Sequence, residues 1–253
     1  MILAKSIRAH HFTVDIIVGL PQPEYEYGKV EDEVLSQFTA LNCKLLHIEN
    51  SISHSYKYGN KIQLLHDAAQ STITDHVLFL DSDIIQLRPL EFSKKVLEAE
   101  ISYRLAGGKS GPHHQFMYLL KKFGITPPTT VYRTSLSHEI MNVPYGNAGV
   151  ILISRAYIAR GFTSTWIRLA KDILADAHIV DKFPWLDQIS LVMTVLYLKS
   201  NLALLSADHN YAIHRSETPS CCPQLCHYHD LKVGQQTYPL EFFKYITNNS
   251  IGL

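Results

Sequence analysis

Short apolar, β-branched runs alternate with amphipathic segments along this chain, and this alternation constrains its fold most. Strand patterns occupy Thr13–Gly19, Lys44–Ile48, His76–Leu80 and Ala148–Ser154. Apolar residues recur at helical spacing in the stretches 30–41, 60–69, 166–174 and 186–198, and Asn60 is placed to cap the second of these. Strands separated by about a dozen helical residues are typical of βαβ units. The pattern predicts an α/β fold in which helices flank a central, mostly parallel sheet.

The length of the chain is compatible with one domain. At 253 residues the chain can form one large α/β domain or two small ones, and we predict a single domain over residues 1–253. The stretch from about 103 to 145 is less regular and holds the pairs Gly107-Gly108 and Pro127-Pro128. We expect this stretch to be an insertion that could cover a site and that lacks a core of its own.

Composition excludes several classes of protein. Apolar residues make up 46% and charged residues 18% of the chain, so intrinsic disorder is excluded. The 23 basic residues are balanced by 23 acidic ones, which leaves no bulk positive charge for binding nucleic acid. The longest apolar stretch, Leu191–Leu198, is far shorter than the ~20 residues that span a bilayer. We expect a cytoplasmic protein with no transmembrane segment and no nucleic-acid partner.

The third strand pattern ends in Asp81-Ser82-Asp83. Two acidic residues spaced i, i+2 on an extended backbone point to the same side. Together they can hold a divalent cation through oxygen and leave positions open for diphosphate oxygens. A solvated turn is the other interpretation, because Asp and Ser favour turns.

Four short motifs carry a resemblance to a known family. The strand that ends in Asp81-Ser82-Asp83 is followed by Asn147-Ala148-Gly149, then by Asp187-Gln188, and near the end by His227-Tyr228. This order resembles the GT-A fold of glycosyltransferases, most closely family 8, which includes glycogenin and bacterial lipopolysaccharide galactosyltransferases. The resemblance implies a Rossmann-like domain that moves a sugar from a nucleotide-diphosphate sugar, a UDP-sugar, to a carbohydrate or other hydroxyl acceptor. It also implies retention of anomeric configuration.

The same resemblance assigns a metal site. It implies that Asp81, Asp83 and His227 hold Mn²⁺ or Mg²⁺ together with the diphosphate of the donor. The segment 225–230 alternates, so that His227 and His229 face the same way if the backbone is extended. His229 is therefore the alternative histidine ligand.

Donor-binding and catalytic residues are also implied by the resemblance. Ser82 lies near the donor ribose, Asn147, Ala148 and Gly149 contact the donor sugar, and Asp187 and Gln188 lie near the reacting anomeric carbon. Read without the resemblance, Asn147-Ala148-Gly149 is either a close approach to a ligand or a tight entry to a strand. Asp187 is either a site residue or a charge at a helix start.

The chain departs from the family pattern at three places. The acidic residue and Tyr that the family carries at its first strand are absent, and Val18, Gly19, Leu20 and Pro21 are placed to contact a nucleotide base instead. Lys61 takes the general position of a family Arg, so it either reaches the donor phosphates or is a solvated charge in the first turn of a helix. After His227 the family carries a Gly and a Lys-Pro-Trp sequence; here Asp230-Leu231-Lys232 follows, and Lys232 is a candidate phosphate contact.

The sequence alone does not decide between this function and several alternatives. An inverting enzyme needs a carboxylate base near the acceptor, and Asp187 or Glu139 is the candidate. A metal-dependent nucleotidyltransferase shares the acidic site but usually carries a glycine-rich phosphate loop, which is absent after Gly19. A non-catalytic zinc-binding module is a further alternative, with ligands drawn from Cys221, Cys222, Cys226, His227 and His229.

Overall fold

Parallel and antiparallel strand pairs are combined in this protein. The computed structural model describes residues 1–71, 73–109, 113–213, 222–238 and residue 245. The strands are β1 Ile16–Gln22, β2 Cys43–Glu49, β3 His76–Leu80, β4 Ile84–Gln86, β5 Ile101–Leu105, β6 Tyr132–Arg133, β7 Ile140–Met141, β8 Gly146–Ser154, β9 Leu202–Leu204, β10 Tyr211–Ala212 and β11 Leu225–His227. The helices are α1 Ile2–His10, α2 Glu24–Tyr27, α3 Asp32–Ala40, α4 Gly59–Ser71, α5 Lys94–Leu97, α6 Phe116–Lys122, α7 Arg155–Ala159, α8 Phe162–Ala175, α9 Leu186–Tyr197 and α10 Leu231–Thr237.

The central four-stranded sheet has the order β3-β8-β5-β9. Its long strand β8 is apolar and almost wholly buried, as expected for a strand covered on both faces. The α/β class predicted from the sequence is confirmed, and β1–β2 and β5–β9 are parallel pairs. Strand β8 runs antiparallel to both β3 and β5, so the central sheet is mixed where a mostly parallel sheet was predicted. The reason is its connection, because the chain enters β8 from the irregular stretch after β5 and not from a crossover helix.

The first strand is displaced from its predicted position. It was expected at Thr13–Gly19, and this prediction is wrong, because β1 runs from Ile16 to Gln22. The guanidinium of Arg8 donates to the carbonyls of Phe12 and Val14, which holds that part of the chain in a loop. The strand then continues through Pro21, whose partner on β2 is Ile48.

Two buried clusters connect the irregular stretch and the helices to the sheet. Phe116, Leu119 and Leu120 of α6 pack in one cluster with residues of α8 and α9. A second cluster joins β8 and β5 to α4 and α8, with Trp166 at its centre. Within the described residues, no helix is long and apolar enough to cross a membrane.

Helix α4 begins at Gly59, so the prediction that Asn60 caps it is wrong. A Cβ on Gly59 would lie 2.5 Å from Oδ1 of Asn50, which leaves room only for glycine. The Asn50 side chain donates to the carbonyls of Ser53 and Tyr56 and accepts from the amide of Ile52. One buried asparagine therefore fixes the loop between β2 and α4 and the point at which the helix starts.

Candidate functional site

The turn between β3 and β4 carries Asp81 and Asp83 to a place where three distant segments meet. The Asp81 amide donates to the carbonyl of Gly149 on β8, at 2.8 Å. The Tyr228 amide donates to the carbonyl of Asp83, at 3.0 Å. Because β11 pairs antiparallel with β4, His227 lies opposite Ile84, directly beside the turn. Backbone pairing thus brings the first, second and last of the sequence motifs together.

Asp83, His227 and His229 form the candidate metal site. Nε2 of His227 lies 3.1 Å from one carboxylate oxygen of Asp83, and Nδ1 of His229 lies 3.3 Å from the other. The two imidazole rings stack with centroids 3.7 Å apart. Ligand atoms of all three residues lie within 4.8 Å of one another. One carboxylate and two imidazoles make a donor set that suits Mn²⁺, so the residues present fit a divalent cation.

Burial and the neighbouring imidazoles act in opposite directions on Asp83. Burial raises the pKa of its carboxyl, while hydrogen bonds and charge from His227 and then His229 lower it further than burial raises it. The net effect is a pKa below the usual range for aspartate. Asp83 is therefore an anion at neutral pH, as a metal ligand must be.

A chain of side-chain amides orients His227. The Asn147 Oδ1 accepts from the Gly149 amide at 2.8 Å and from Asn210 Nδ2 at 2.9 Å. The Asn210 Oδ1 consequently faces Nδ1 of His227, at 3.3 Å. Because an amide oxygen only accepts, this contact places a proton on Nδ1 of His227 and turns Nε2 towards Asp83, so that Nε2 is the nitrogen that would bind a cation. Asn210 has no motif in the sequence, and Asn147 acts here as a positioning residue.

Glycine is required at position 149, where the side chains of the candidate metal site meet. Ala148, the residue before it, is buried. A Cβ on Gly149 would lie 2.7 Å from Cε1 of His227 and 3.1 Å from Oδ2 of Asp81. The imidazole and the carboxylate therefore converge over a position that only glycine leaves open. Asp81, the remaining predicted ligand, borders the metal site but its Oδ2 also contacts Lys61.

Lys61 lies between two carboxylates. Its Nζ is 2.9 Å from Oδ2 of Asp81 and 3.0 Å from Oδ2 of Asp187. The interpretation of Lys61 as a solvated charge is wrong, since only 12% of its side chain is exposed. Burial lowers the pKa of the Lys61 ammonium, but Asp187 and Asp81 outweigh burial and hold the pKa above its ordinary value. Burial raises the pKa of Asp81, and the Lys61 charge offsets part of that rise.

Asp187 is held by three contacts from two residues at the start of α9. Its Oδ1 accepts from the hydroxyl of Tyr56 at 2.9 Å, its backbone amide donates to the same hydroxyl at 2.8 Å, and its Oδ2 contacts Lys61. Asp187 also lies in the first turn of α9, as the interpretation of a charge at a helix start predicts, although no side chain caps this helix. Burial, followed by the charge of Asp187, raises the pKa of Tyr56, which stays a neutral donor. Gln188, the next residue, is half-buried.

The remaining predicted residues lie in different settings. Ser82 is exposed at the tip of the turn, and Lys232 is exposed on α10. Glu139 accepts from Ser137 Oγ and from the Lys109 amide, both in the irregular stretch.

Val18, Gly19, Leu20 and Pro21 are internal residues of β1, where a Cβ on Gly19 would lie 3.0 Å from Leu64 of α4. A cavity of about 660 Å³ begins one residue later, lined by Gln22, Pro23 and residues 49–54. It lies at the carboxyl ends of the parallel strands β1 and β2, where α/β sheets bind ligands.

The cysteine-based zinc site gains no support from the described residues. Cys226 is buried in an apolar cluster with Ile85 and Tyr211. Burial raises the pKa of its thiol to about 12, so that this cysteine is a neutral thiol at neutral pH while no metal ion is bound. Among the described residues, the group of three that could hold a metal ion contains Asp83 and the two histidines and no cysteine. Cys221 lies outside the described residues.

Solved structures of glycosyltransferases share the fold. The bifunctional glycosyltransferase WbbM matches with a TM-score of 0.54 and 13% identity, covering 93% of this chain and 50% of that one. GlyE of Streptococcus pneumoniae matches at 0.52 and 16%, covering 96% of this chain and 57% of that one. Mouse xyloside xylosyltransferase 1 matches at 0.50 and 12%, covering 90% of each. The chain thus has a GT-A-like fold and spans about half the length of the first two proteins.

Family membership follows from sequence rather than from these structures. No curated protein matches the chain significantly, and the resemblance to family 8 in particular stays a prediction. The family model of the Rhodobacterales glycosyltransferase domain matches residues 1–199, which include Lys61, the Asp81-Ser82-Asp83 turn and Asp187 but not His227. The chain belongs to this family of glycosyltransferases.

Proposed function

We propose that this glycosyltransferase uses a divalent cation, Mn²⁺ or Mg²⁺, to transfer a sugar from a UDP-sugar to a hydroxyl acceptor with retention. The observation that carries this proposal is the convergence of Asp83, His227 and His229, with Asp81 beside them. These residues would hold the cation. When bound, the cation would neutralise charge on the departing diphosphate.

The nucleotide of the donor fits the cavity at the ends of β1 and β2. This cavity offers the polar side chains of Gln22, Ser51 and Ser53 beside the apolar Ile52. A flat base with several hydrogen-bonding edges suits such a mixed lining. The preference for uridine itself rests on the resemblance to family 8.

Retention is supported by the contacts that both carboxylate oxygens of Asp187 make. Tyr56 donates to one oxygen and the Lys61 ammonium contacts the other. A carboxylate so held is a poor base for deprotonating an acceptor, which an inverting mechanism requires. Its negative charge instead suits stabilisation of the positive charge that develops at the anomeric carbon.

Titration calorimetry with UDP tests the proposal. We expect UDP to bind in the presence of Mn²⁺ and to lose most of its affinity in EDTA. Asp83→Asn should abolish both the cation dependence and transfer from donor sugars while the chain remains folded, as circular dichroism would show. Asp15→Asn, which alters an exposed carboxylate paired with Lys44, is the matched control and should bind as the wild type does. Equal affinity for UDP in EDTA and in Mn²⁺ would refute the metal site.

A further inference from the structure

We propose that Tyr58 and Phe183, here called the aromatic platform, bind a ring of the acceptor, so that the acceptor is itself a carbohydrate. This inference rests on the proposed function, because it concerns the second substrate of the same site.

The two rings are exposed although they belong to an aromatic cluster. Tyr58 is 53% and Phe183 48% exposed, whereas Tyr56 between them is 2% exposed. The ring centroids of Tyr58 and Phe183 lie 5.8 and 5.4 Å from that of Tyr56. Both exposed rings therefore pack against the same buried ring, which places them on one part of the surface.

The aromatic platform is tied to the catalytic aspartate through Tyr56. The Tyr56 hydroxyl lies 2.9 Å from Oδ1 of Asp187 and 3.0 Å from the carbonyl of Pro184, which directly follows Phe183. On the other side, Nζ of Lys61 lies 5.9 Å from the centre of the Tyr58 ring. A ligand on the aromatic platform therefore sits beside the residue assigned to the anomeric carbon.

Both rings are presented on an ordered backbone. Tyr58 lies in the loop that the buried Asn50 fixes through the carbonyls of Ser53 and Tyr56. Phe183 is two residues before the N-cap of α9. An aromatic pair held in place before the ligand arrives loses little entropy on binding.

A sugar ring matches this surface chemically. One face of a pyranose carries several C–H groups with slight positive charge, and an aromatic face is negative. The diphosphate and the base of the donor are accommodated elsewhere, at the metal site and at the cavity beyond β1 and β2. Contacts run from Asp81, which borders the metal site, through Lys61 to Asp187, and the aromatic platform lies at the Asp187 end.

Saturation-transfer NMR on the full chain tests this inference. The probes are methyl β-glucopyranoside, methyl β-galactopyranoside and lactose, each with UDP and Mn²⁺ present. We expect saturation of ring C–H protons in at least one probe. Tyr58→Ala and Phe183→Ala should each weaken binding by about threefold to tenfold, and the double variant should abolish it. Tyr58→Phe should bind as the wild type does, because the ring is kept.

Phe12→Ala is the matched control, since Phe12 is an aromatic residue with 78% exposure outside the site. The inference is overturned if no probe receives saturation, or if the double variant still binds the saccharide. It is also overturned if loss of the rings weakens UDP instead, which would make the aromatic platform a base-binding surface. Failure of the proposed function has a different signature, because UDP would then bind to the wild type without any dependence on Mn²⁺.

Discussion

Removal of the Lys61 ammonium is the perturbation whose cost the structure defines best. Lys61→Met keeps the length and apolar stem of the side chain, which lies near the rings of Tyr58 and Phe79. It leaves the carboxylates of Asp81 and Asp187 facing each other without a cation. Asp187 is almost fully buried and keeps only the Tyr56 hydroxyl as a side-chain donor among its described contacts.

Breaking a buried ion pair by removing one partner costs about 3–5 kcal/mol. Because Asp81 keeps 21% exposure, water can relieve part of this cost, and we expect about 3 kcal/mol. For a chain of this length, that loss lowers the thermal midpoint by about 6–12 °C. Urea unfolding followed by circular dichroism measures the free energy, and calorimetry measures the midpoint.

Lys44→Met provides a matched control. The ammonium of Lys44 also lies 2.9 Å from a carboxylate, that of Asp15, but both side chains are more than half exposed. An exposed pair of this kind contributes about 0–1 kcal/mol. The double variant Lys61→Met/Asp187→Asn should recover part of the loss, because the unpaired buried charge is removed. The reasoning is refuted if Lys61→Met costs no more than Lys44→Met.

Two further predictions concern other parts of the molecule. Gly149→Ala should abolish cation-dependent UDP binding in calorimetry while the chain remains folded, because its Cβ would force His227 away; retained binding would contradict this. The second prediction concerns Asp176, because a hydrogen bond from Lys122 lowers the pKa of its carboxyl. The stabilisation that this hydrogen bond gives the folded state is present above the ordinary aspartate pKa of about 4. It is lost as the pH falls through the lowered value. Asp176→Asn should therefore be less stable than the wild type in urea at pH 7, with a difference that shrinks in acid; a difference independent of pH would contradict this.

Local patterns predicted those parts of the site that depend on strand ends. The strand His76–Leu80 was predicted with its observed bounds. The turn that carries Asp83 follows directly after the end of this strand, as the sequence predicted. His227 and His229 both reach Asp83. The extended backbone predicted for this segment ends at His227, however, and His229 has a φ of 50°, in the left-handed region. Period-two alternation therefore does not explain why His229 joins the site.

Partners supplied by tertiary structure were not predictable in the same way. Tyr56 reaches Asp187 across 131 residues, and Asn210 reaches Asn147 across 63. Neither residue stands in a periodic or motif context that marks it. The position of β1 failed for a related reason, since the Arg8 side chain decides where that strand begins. Side-chain contacts between distant segments override local propensity in each case.

The charges gathered at the site determine how a donor can bind. Among the described residues, the site brings together the three carboxylates of Asp81, Asp83 and Asp187 against the ammonium of Lys61. A diphosphate entering this surplus of negative charge is repelled unless a divalent cation enters before it or with it. We therefore expect the affinity of UDP to rise with Mn²⁺ concentration until the site saturates. Asp187→Asn should bind UDP more tightly than the wild type at low Mn²⁺, because one repelling charge is gone, although it should transfer no sugar. A weaker affinity for UDP in that variant would show that Asp187 attracts the donor through Lys61 and does not repel it.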